Sequence, residues 1–314
     1  MKKAFVFPGQ GSQFVGMGKE MYDTFPAARE VFEEVNDALS QDLTKLIFEG
    51  PESDLNLTEN TQPALMAVSV ALTRVLESEG GINFAEDDSI ILGAGHSLGE
   101  YSALTAMKSL ELADTARLLK IRGTSMQKAV PVGVGAMAAI LGLDYMDVVA
   151  IADEVSGSEI CTAANDNANG QVVVSGHKGA VEAAVALAAE RGARKSVILP
   201  VSAPFHCALM APAADRMREA LAEVKIKAPV VPIVANVTAS EVVVPEEIRE
   251  LLVEQVTGAV RWRESVLYMK DRGVEQLVEV GAGKVLSGLA RRIDRSLKSV
   301  SIQGPADIDS FLNQ

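Results

Sequence analysis

The sequence predicts an α/β fold in which helices cover both faces of a parallel sheet, with a smaller unit inserted into the chain. Three apolar runs carry this prediction, because each is typical of a buried parallel strand: Ala4–Phe7, Ile90–Leu92 and Gln276–Val280. A glycine follows each run within two residues, and a helical pattern comes next. Repeated strand, glycine turn and helix indicate such a sheet, whose functional residues gather at the carboxyl ends of the strands.

The stretch from about residue 130 to residue 200 is organised differently. Its predicted elements are, in order, the strand Gly135–Leu141, the helix Asp144–Ser156, the strands Glu159–Asn165 and Gln171–Gly176, the helix Lys178–Gly192 and the strand Arg194–Pro200. A polar loop, Asn165–Gly170, is expected between the two middle strands. The order β-α-β-β-α-β is that of a ferredoxin-like unit. We therefore expect a core of residues 1–129 and 201–314, and an inserted ferredoxin-like subdomain of residues 130–200.

Composition limits the possible classes of function. The chain has 314 residues, 48% of them hydrophobic, which is enough for a large core. The net charge of -13 argues against nucleic acid as the main partner, although a local basic pocket could still bind an anionic substrate. Two distant cysteines, Cys161 and Cys207, favour a reducing compartment. The first apolar run breaks at Pro8, so it is too short for the apolar region of a secretory signal peptide. No apolar stretch is long enough to span a membrane. We expect a cytoplasmic protein.

The most informative motif is Gly95-His96-Ser97-Leu98-Gly99, a G-x-S-x-G between an apolar strand and a helical pattern. That context is typical of a nucleophile elbow, in which the serine sits on a tight turn and the glycines let backbone come close. The helix behind it offers unpaired N–H groups. The structural alternative is a glycine-flanked turn with a helix-capping serine. The motif favours Ser97 as a nucleophile.

A nucleophilic serine needs a base, and the chain has three histidines. His96 neighbours Ser97 on the same turn, so the two side chains diverge. His177 begins a helix of the inserted unit, where we expect it at the surface. His206 follows a strand where the chain re-enters the core, and it is the best base by elimination. No Asp stands out as a third member, so a dyad whose histidine is oriented by a backbone carbonyl is possible.

A predicted helix places Arg122 at the edge of an apolar face. Five residues share that face on a helical wheel: Leu112, Ala116, Leu119, Gly123 and Met126. An arginine beside such a face must find an anion, because burying it unpaired is costly. The partner is either an internal carboxylate or the carboxylate of a substrate, which a guanidinium binds well through two hydrogen bonds.

Other motifs fail on spacing. The Gly283-Lys284 pair lacks the earlier Gly and the following Ser or Thr of a phosphate-binding P-loop, since Val278 and Val285 occupy those positions. The opening segment lacks the third glycine of a dinucleotide motif, because Phe14 stands there. No cluster of Cys, His and carboxylates has the spacing of metal ligands.

Taken together, the motifs resemble the malonyl-CoA:acyl-carrier-protein transacylases of bacterial type II fatty-acid synthesis, which are related to polyketide synthase acyltransferases. The matching stretches cover nearly the whole chain in the family's order: FVFPGQGSQ, GHSLGEYSAL, the Arg122 helix, NDNANGQVVVSG, PVSAPFHCALM, NVTA and VEVGAGKVLSGL. The resemblance implies an α/β-hydrolase-like core with an inserted ferredoxin-like subdomain.

The resemblance also implies roles for matching residues. Ser97 would become malonylated, and His206 would be its base and later the acid that protonates the CoA thiolate. The main-chain carbonyl of Gln255 would orient that histidine, which would explain the missing Asp. Arg122 would bind the free malonyl carboxylate.

Further positions follow from the same resemblance. The main-chain N–H groups of Gln10 and Leu98 would form the oxyanion hole. Asn165 would line the approach of CoA or pantetheine, and Met126 and Phe205 would contact the substrate. The bulky Phe205 favours malonyl over methylmalonyl groups, with ordinary packing as its alternative.

The implied reaction is a ping-pong transfer of malonyl from malonyl-CoA to the phosphopantetheine thiol of acyl carrier protein. No permanently bound cofactor or metal is expected, and the expected state is a monomer. Three alternatives stay open: a polyketide-type acyltransferase with another extender unit, a serine thioesterase or hydrolase, and a silent protein that only docks the carrier. The arginines of Arg261–Arg263 and Ala290–Arg295 could face an acidic carrier.

Overall fold

The strands of the computed structural model form two separate sheets. The model describes residues 1–201 and 203–313; Ser202 and Gln314, both in the predicted second core segment, lie outside the described residues. The strands are β1 (Lys3–Phe7), β2 (Ile90–Gly95), β3 (Gly135–Leu141), β4 (Cys161–Ala168), β5 (Gln171–His177), β6 (Lys195–Ile198), β7 (Ile233–Val234), β8 (Glu241–Val242), β9 (Gln276–Val280) and β10 (Lys298–Ile302).

The larger sheet has the order β10-β9-β1-β2-β7-β8. Its strands run parallel except for the edge strand β8, which pairs antiparallel with β7. The three apolar runs are β1, β2 and β9, so the prediction of a parallel sheet is confirmed. The second run is longer than predicted, since β2 continues from Leu92 to Gly95.

Helices surround the sheets. They are α1 (Lys19–Thr24), α2 (Pro26–Leu39), α3 (Leu43–Glu49), α4 (Glu52–Leu55), α5 (Thr58–Ser78), α6 (Leu98–Ala106), α7 (Leu112–Lys128), α8 (Tyr145–Val155), α9 (Lys178–Glu190), α10 (Ala211–Ala222), α11 (Pro245–Glu254), α12 (Trp262–Asp271), α13 (Val285–Ile293) and α14 (Pro305–Leu312), with a 3₁₀ turn at Ala208–Met210.

Strand β1 shows why both faces of the sheet are covered. Successive side chains of a strand point to opposite faces. Phe5 and Phe7 accordingly belong to a large apolar core that includes α2, α5 and α7, whereas Ala4 and Val6 belong to a second core with α12 and α13. All four side chains are fully buried, as expected for a parallel strand between two helical layers.

The smaller sheet has the order β4-β5-β3-β6, and all its pairings are antiparallel. Helices α8 and α9 pack on it through a third apolar core. The order of elements agrees with the predicted β-α-β-β-α-β.

The prediction of a polar loop at Asn165–Gly170 is wrong. Strand β4 continues to Ala168, so only Asn169 and Gly170 form the turn to β5. Polar side chains fit into this strand because their partners lie outside the small sheet: Asp166 forms an ion pair with Arg263, and its main-chain N–H donates to the Val260 carbonyl. Polarity therefore marked a contact between the small sheet and the segment that begins α12, rather than a loop.

Candidate active site

Ser97 lies on a strained turn at the carboxyl end of β2. Its backbone has φ 54° and ψ -111°, a rare conformation for a residue with a side chain. The flanking glycines are required sterically: a Cβ on Gly95 would lie 1.9 Å from the Gly99 backbone, and one on Gly99 would lie 2.3 Å from the Phe7 carbonyl oxygen. The serine hydroxyl makes no capping bond to α6, so the alternative of a helix-capping side chain is wrong.

The hydroxyl of Ser97 instead faces a histidine. Ser97 Oγ lies 2.8 Å from His206 Nε2, and His206 Nδ1 lies 2.9 Å from the main-chain oxygen of Gln255. A carbonyl oxygen only accepts, so Nδ1 must carry the proton and Nε2 is free to accept from the serine. The geometry resembles that of a nucleophile, a base and an orienting group, with a carbonyl where a hydrolase usually has a carboxylate.

His206 is held in the neutral form. Burial lowers the pKa of His206 to about 3, with a further contribution from the positive charge of Arg122. Only 4% of the residue is exposed, so water does little to stabilise its charged form. The imidazole is therefore in the neutral form that a general base requires throughout the physiological pH range.

Arg122 reaches the same hydroxyl from α7. Its Nη2 donates to Ser97 Oγ at 3.1 Å and to Gln255 Oε1 at 2.9 Å, and its Nη1 donates to Gln62 Oε1 at 2.7 Å. The residue is 1% exposed, and its Nε lacks a partner among the described residues. These acceptors are neutral, so the alternative of a direct internal carboxylate partner finds no support in the described part of the chain.

A cavity of about 160 Å³ opens above these groups, between the two sheets. Eight predicted site residues line it: Gln10, Ser97, Leu98, Arg122, Met126, Asn165, Phe205 and His206. The ninth, Gln255, is fully buried behind Ser97 and is absent from the described lining. Residues of the small sheet, such as Met137 and Val173, complete the apolar wall.

The loop after β1 packs directly on the serine turn. A Cβ on Gly9 would lie 2.6 Å from the His96 carbonyl oxygen, so the two backbones touch. This contact places the next residue, Gln10, at the cavity beside Leu98. Among the described residues, neither main-chain N–H donates a hydrogen bond, so both are free to bind an oxyanion. The Gln10 side chain is otherwise engaged, accepting from Thr58 Oγ1 at 2.7 Å.

Several polar residues of the site were not predicted from the sequence. Gln62 holds Arg122 from α5, and His96 Nε2 lies 2.8 Å from Asn167 Oδ1 at the cavity wall. Asn236 accepts from the Ser97 N–H at 2.8 Å, and Glu100 lies behind it. One signal was available: Glu100 is the single charged residue in α6, all of whose residues are buried.

The predicted basic segments are partly occupied by internal partners. Arg261 forms an ion pair with Glu264, and Arg263 with Asp166. Within residues 1–201 and 203–313, no cluster of three or more His, Cys, Asp or Glu side chains is arranged to hold a metal ion. None of the helices in that part of the chain combines the length and apolar character needed to cross a bilayer.

Known proteins are similar to this chain in sequence and in fold over nearly their full length. Residues 4–306 match the family model described as acyl transferase domain. Malonyl CoA-acyl carrier protein transacylase of Escherichia coli K12 is 46% identical over 309 residues, covering 98% of each chain. An acyl-carrier-protein-S-malonyltransferase from Bartonella henselae is 53% identical, with a TM-score of 0.97 and coverage of 100% of this chain and 99% of its own.

A third relative was solved with a partner. It is a malonyl-transacylase in complex with a type II PKS acyl-carrier protein, 42% identical, with a TM-score of 0.95 over 100% of this chain and 99% of its own. Identity above 40% over almost the entire length, together with the family match, decides the assignment. The chain belongs to the acyl transferase domain family and, within it, to the malonyl CoA-acyl carrier protein transacylases.

Proposed function

We propose that this chain transfers malonyl groups from malonyl-CoA to the phosphopantetheine thiol of acyl carrier protein, through an ester on Ser97, for fatty acid synthesis. The observation that carries the proposal is the convergence of His206 and Arg122 on one hydroxyl, at 2.8 Å and 3.1 Å. One group activates the oxygen, and the other offers a positive charge next to it. The names of the relatives point to the same reaction.

The first half-reaction acylates the serine. Ser97 Oγ attacks the thioester carbon while its proton passes to His206 Nε2. The N–H groups of Gln10 and Leu98 bind the resulting oxyanion, and each such donor typically lowers the barrier by about 3–4 kcal/mol. The intermediate collapses as the carbon–sulfur bond breaks, and the thiolate of CoA takes the proton from His206.

The second half-reaction reverses these roles with a new thiol. The carrier's phosphopantetheine sulfur gives its proton to His206 and attacks the ester carbon. Collapse of the second oxyanion breaks the bond to Ser97 Oγ, which recovers a proton from His206. Each half-reaction is therefore balanced in protons, and the reaction requires no permanently bound cofactor.

The carbonyl of Gln255 replaces a carboxylate in this scheme. It accepts from His206 Nδ1 and so fixes the tautomer and the ring plane. A neutral carbonyl stabilises the transient imidazolium less than a carboxylate does. Because the pKa of the buried His206 is low, the imidazolium, once formed, readily returns its proton to a leaving thiolate or serine.

Arg122 selects the acyl group. A guanidinium binds a carboxylate through two parallel hydrogen bonds, and acetyl groups cannot supply that partner. Met126 and Phe205 narrow the cavity around the bound acyl chain, and the bulk of Phe205 disfavours a methyl branch. These features support malonyl rather than another extender unit.

The remaining predictions concern the approach to the site. Asn165, at the cavity wall, would contact CoA or pantetheine. Arg291 and Arg295 are exposed, on and just after α13, and would be available to an acidic carrier. Retention of the nucleophile, the base and Arg122 argues against a silent docking protein.

The finer description of the fold is part of the proposal. The strand order β4-β5-β3-β6 with antiparallel pairing supports a ferredoxin-like subdomain within residues 130–200. The strained serine turn after a parallel strand supports an α/β-hydrolase-like core of residues 1–129 and 201–314. Two buried free cysteines support a reducing compartment and so the cytoplasm, and the proposed oligomeric state is a monomer.

The proposed function is tested by product analysis. Malonyl-CoA is incubated with the enzyme with and without holo acyl carrier protein, and the carrier and free malonate are measured by mass spectrometry. Malonyl-carrier should form catalytically, with little malonate in the absence of carrier. Rapid release of malonate without carrier would instead identify a hydrolase. Methylmalonyl-CoA in place of malonyl-CoA tests the polyketide-type alternative.

A further inference from the structure

Glu100 is a buried acidic residue directly beneath the serine turn. It lies in the first turn of α6 and is 2% exposed, and it is absent from the described lining of the cavity. Its Oε2 atom accepts from Gln255 Nε2 at 2.8 Å and from the main-chain N–H of Asn236 at 3.0 Å. The proposed reaction assigns no role to this carboxyl group, although it contacts two residues that hold the site together.

Both of these residues bind the serine turn. Asn236 Oδ1 accepts from the Ser97 N–H, and Asn236 Nδ2 donates to the Gly95 carbonyl at 2.7 Å. Gln255 Nε2 also donates to the Ser97 carbonyl oxygen at 3.0 Å. The strained backbone of the nucleophile is therefore clamped on its N–H and on its C=O side. A residue in an unfavourable conformation persists only where its surroundings fix it in this way.

Gln255 also connects the clamp to the other two functional residues. Its Oε1 accepts from Arg122, and its main-chain oxygen accepts from His206. Arginine only donates, so the amide must present its oxygen to Arg122 and its NH₂ group to Glu100. The acceptor on Glu100 thus sets the amide orientation from the opposite side.

We propose that Glu100 is a positioning residue for acyl transfer, whose Oε2 atom holds Gln255 and Asn236 in place. Through these two residues it fixes the distances among the nucleophile, the base and the guanidinium. The proposal rests on the proposed function only for the identity of the acyl donor. Misplacement of reacting groups by about 1 Å can cost on the order of 100-fold in rate.

The test compares three substitutions of Glu100. Glu100→Gln keeps an acceptor oxygen at the same reach and should acylate Ser97 within about fivefold of the wild-type rate. Glu100→Met removes the acceptor, and Glu100→Asp withdraws it by one methylene; both should slow acylation about 10- to 100-fold. The KM for malonyl-CoA should change less than the acylation rate, because Glu100 reaches Arg122 only through Gln255 and lies outside the lining of the cavity. If Glu100→Met fails to fold, Glu100→Asp provides the test of the lost acceptor.

Glu279 provides the matched control. It is fully buried and accepts two main-chain N–H bonds, from Leu286 and Ser287, away from the cavity. Glu279→Met should lower the melting temperature yet leave the acylation rate per folded molecule unchanged. Equal slowing in this control would overturn the proposal, as would wild-type rates in folded Glu100→Met or Glu100→Asp.

A fluorophosphonate probe separates this proposal from the proposed function. It phosphonylates an activated serine whatever the natural acyl donor, so its rate reports the positioning of Ser97 and His206 alone. With this probe too, Glu100→Gln should react at nearly the wild-type rate, and Glu100→Asp and Glu100→Met should react more slowly. A wild-type enzyme that reacts with the probe but not with malonyl-CoA would contradict malonyl transfer and leave the role of Glu100 testable.

Discussion

The guanidinium of Arg122 donates a hydrogen bond to Ser97 Oγ over 3.1 Å, although Ser97 lies on the turn before α6 and Arg122 lies in α7. The positive charge therefore sits beside the nucleophile itself. In a malonyl thioester, one methylene separates the carbonyl carbon from the carboxylate. In the proposed reaction, such a short acyl group would place its carboxylate at the guanidinium when its carbonyl carbon reaches the serine.

Arg122→Ala should abolish this selectivity. The acylation rate with malonyl-CoA should fall about 100-fold or more, because each hydrogen bond to a charged group contributes about 1.5–3 kcal/mol. Acylation with acetyl-CoA should persist or rise, since no buried charge is then left uncompensated. Single-turnover labelling with each donor measures both rates. Arg117→Ala, at an exposed position of the same helix, is the control. An equal loss with both donors would show that the arginine acts only structurally.

Gln10 should act through its backbone. Gln10→Ala loses the bond from Thr58 but keeps the main-chain N–H, so kcat should fall by no more than about threefold. Gln10→Pro removes that N–H, and kcat should fall about 100- to 1,000-fold, the usual effect of losing one oxyanion donor. Steady-state transfer to holo carrier protein gives both values. Comparable losses in the two variants would assign the role to the side chain instead.

The pH dependence of stability should report the burial of Glu100. Burial raises the pKa of Glu100 from 4.5 to about 7 in the folded chain. The folded state therefore binds this proton more tightly, and its stabilising effect is complete below pH 4.5 and lost as the pH rises through 7. The free energy of unfolding of the wild type, minus that of Glu100→Gln, should fall by about 3 kcal/mol between these limits. Urea titrations at several pH values measure the free energy of unfolding of both proteins. A difference between them that does not change with pH would contradict the raised pKa of Glu100.

The serine turn should tolerate no added methyl group. Gly99→Ala would bring a Cβ to 2.3 Å from the Phe7 carbonyl oxygen, so either the turn or β1 must move. We expect a loss of several degrees in melting temperature and almost complete loss of Ser97 labelling. Gly288 has open space around its Cβ position in α13, so Gly288→Ala should be neutral or stabilising by about 0.5–1 kcal/mol. Normal labelling in Gly99→Ala would refute the steric account.

The fold and the residues proposed to carry the chemistry could be predicted from the sequence. Most of the residues that hold them in position could not. The apolar runs of β1, β2 and β9 and the G-x-S-x-G pattern are local signals, so strand and turn were predictable. Gln62 and Asn236 act through contacts over long sequence separations, which no local pattern encodes. Glu100 also acts through such contacts, and its one local signal is that it is the single charged residue of α6. The strand β4 was cut short for the same reason: the partner of Asp166 is Arg263, 97 positions away. Polarity alone could not show whether residues 165–168 form a strand or a loop, because that depends on hydrogen bonds to residues far along the chain.

The most direct measurement is the intact mass of the enzyme after brief exposure to malonyl-CoA alone. The account predicts one malonyl group per chain, mapped to Ser97 by peptide analysis, absent in Ser97→Ala and removed on addition of holo acyl carrier protein. A transfer reaction that proceeds at full rate without any such adduct, or an adduct that persists in Ser97→Ala, would contradict covalent transfer through this serine.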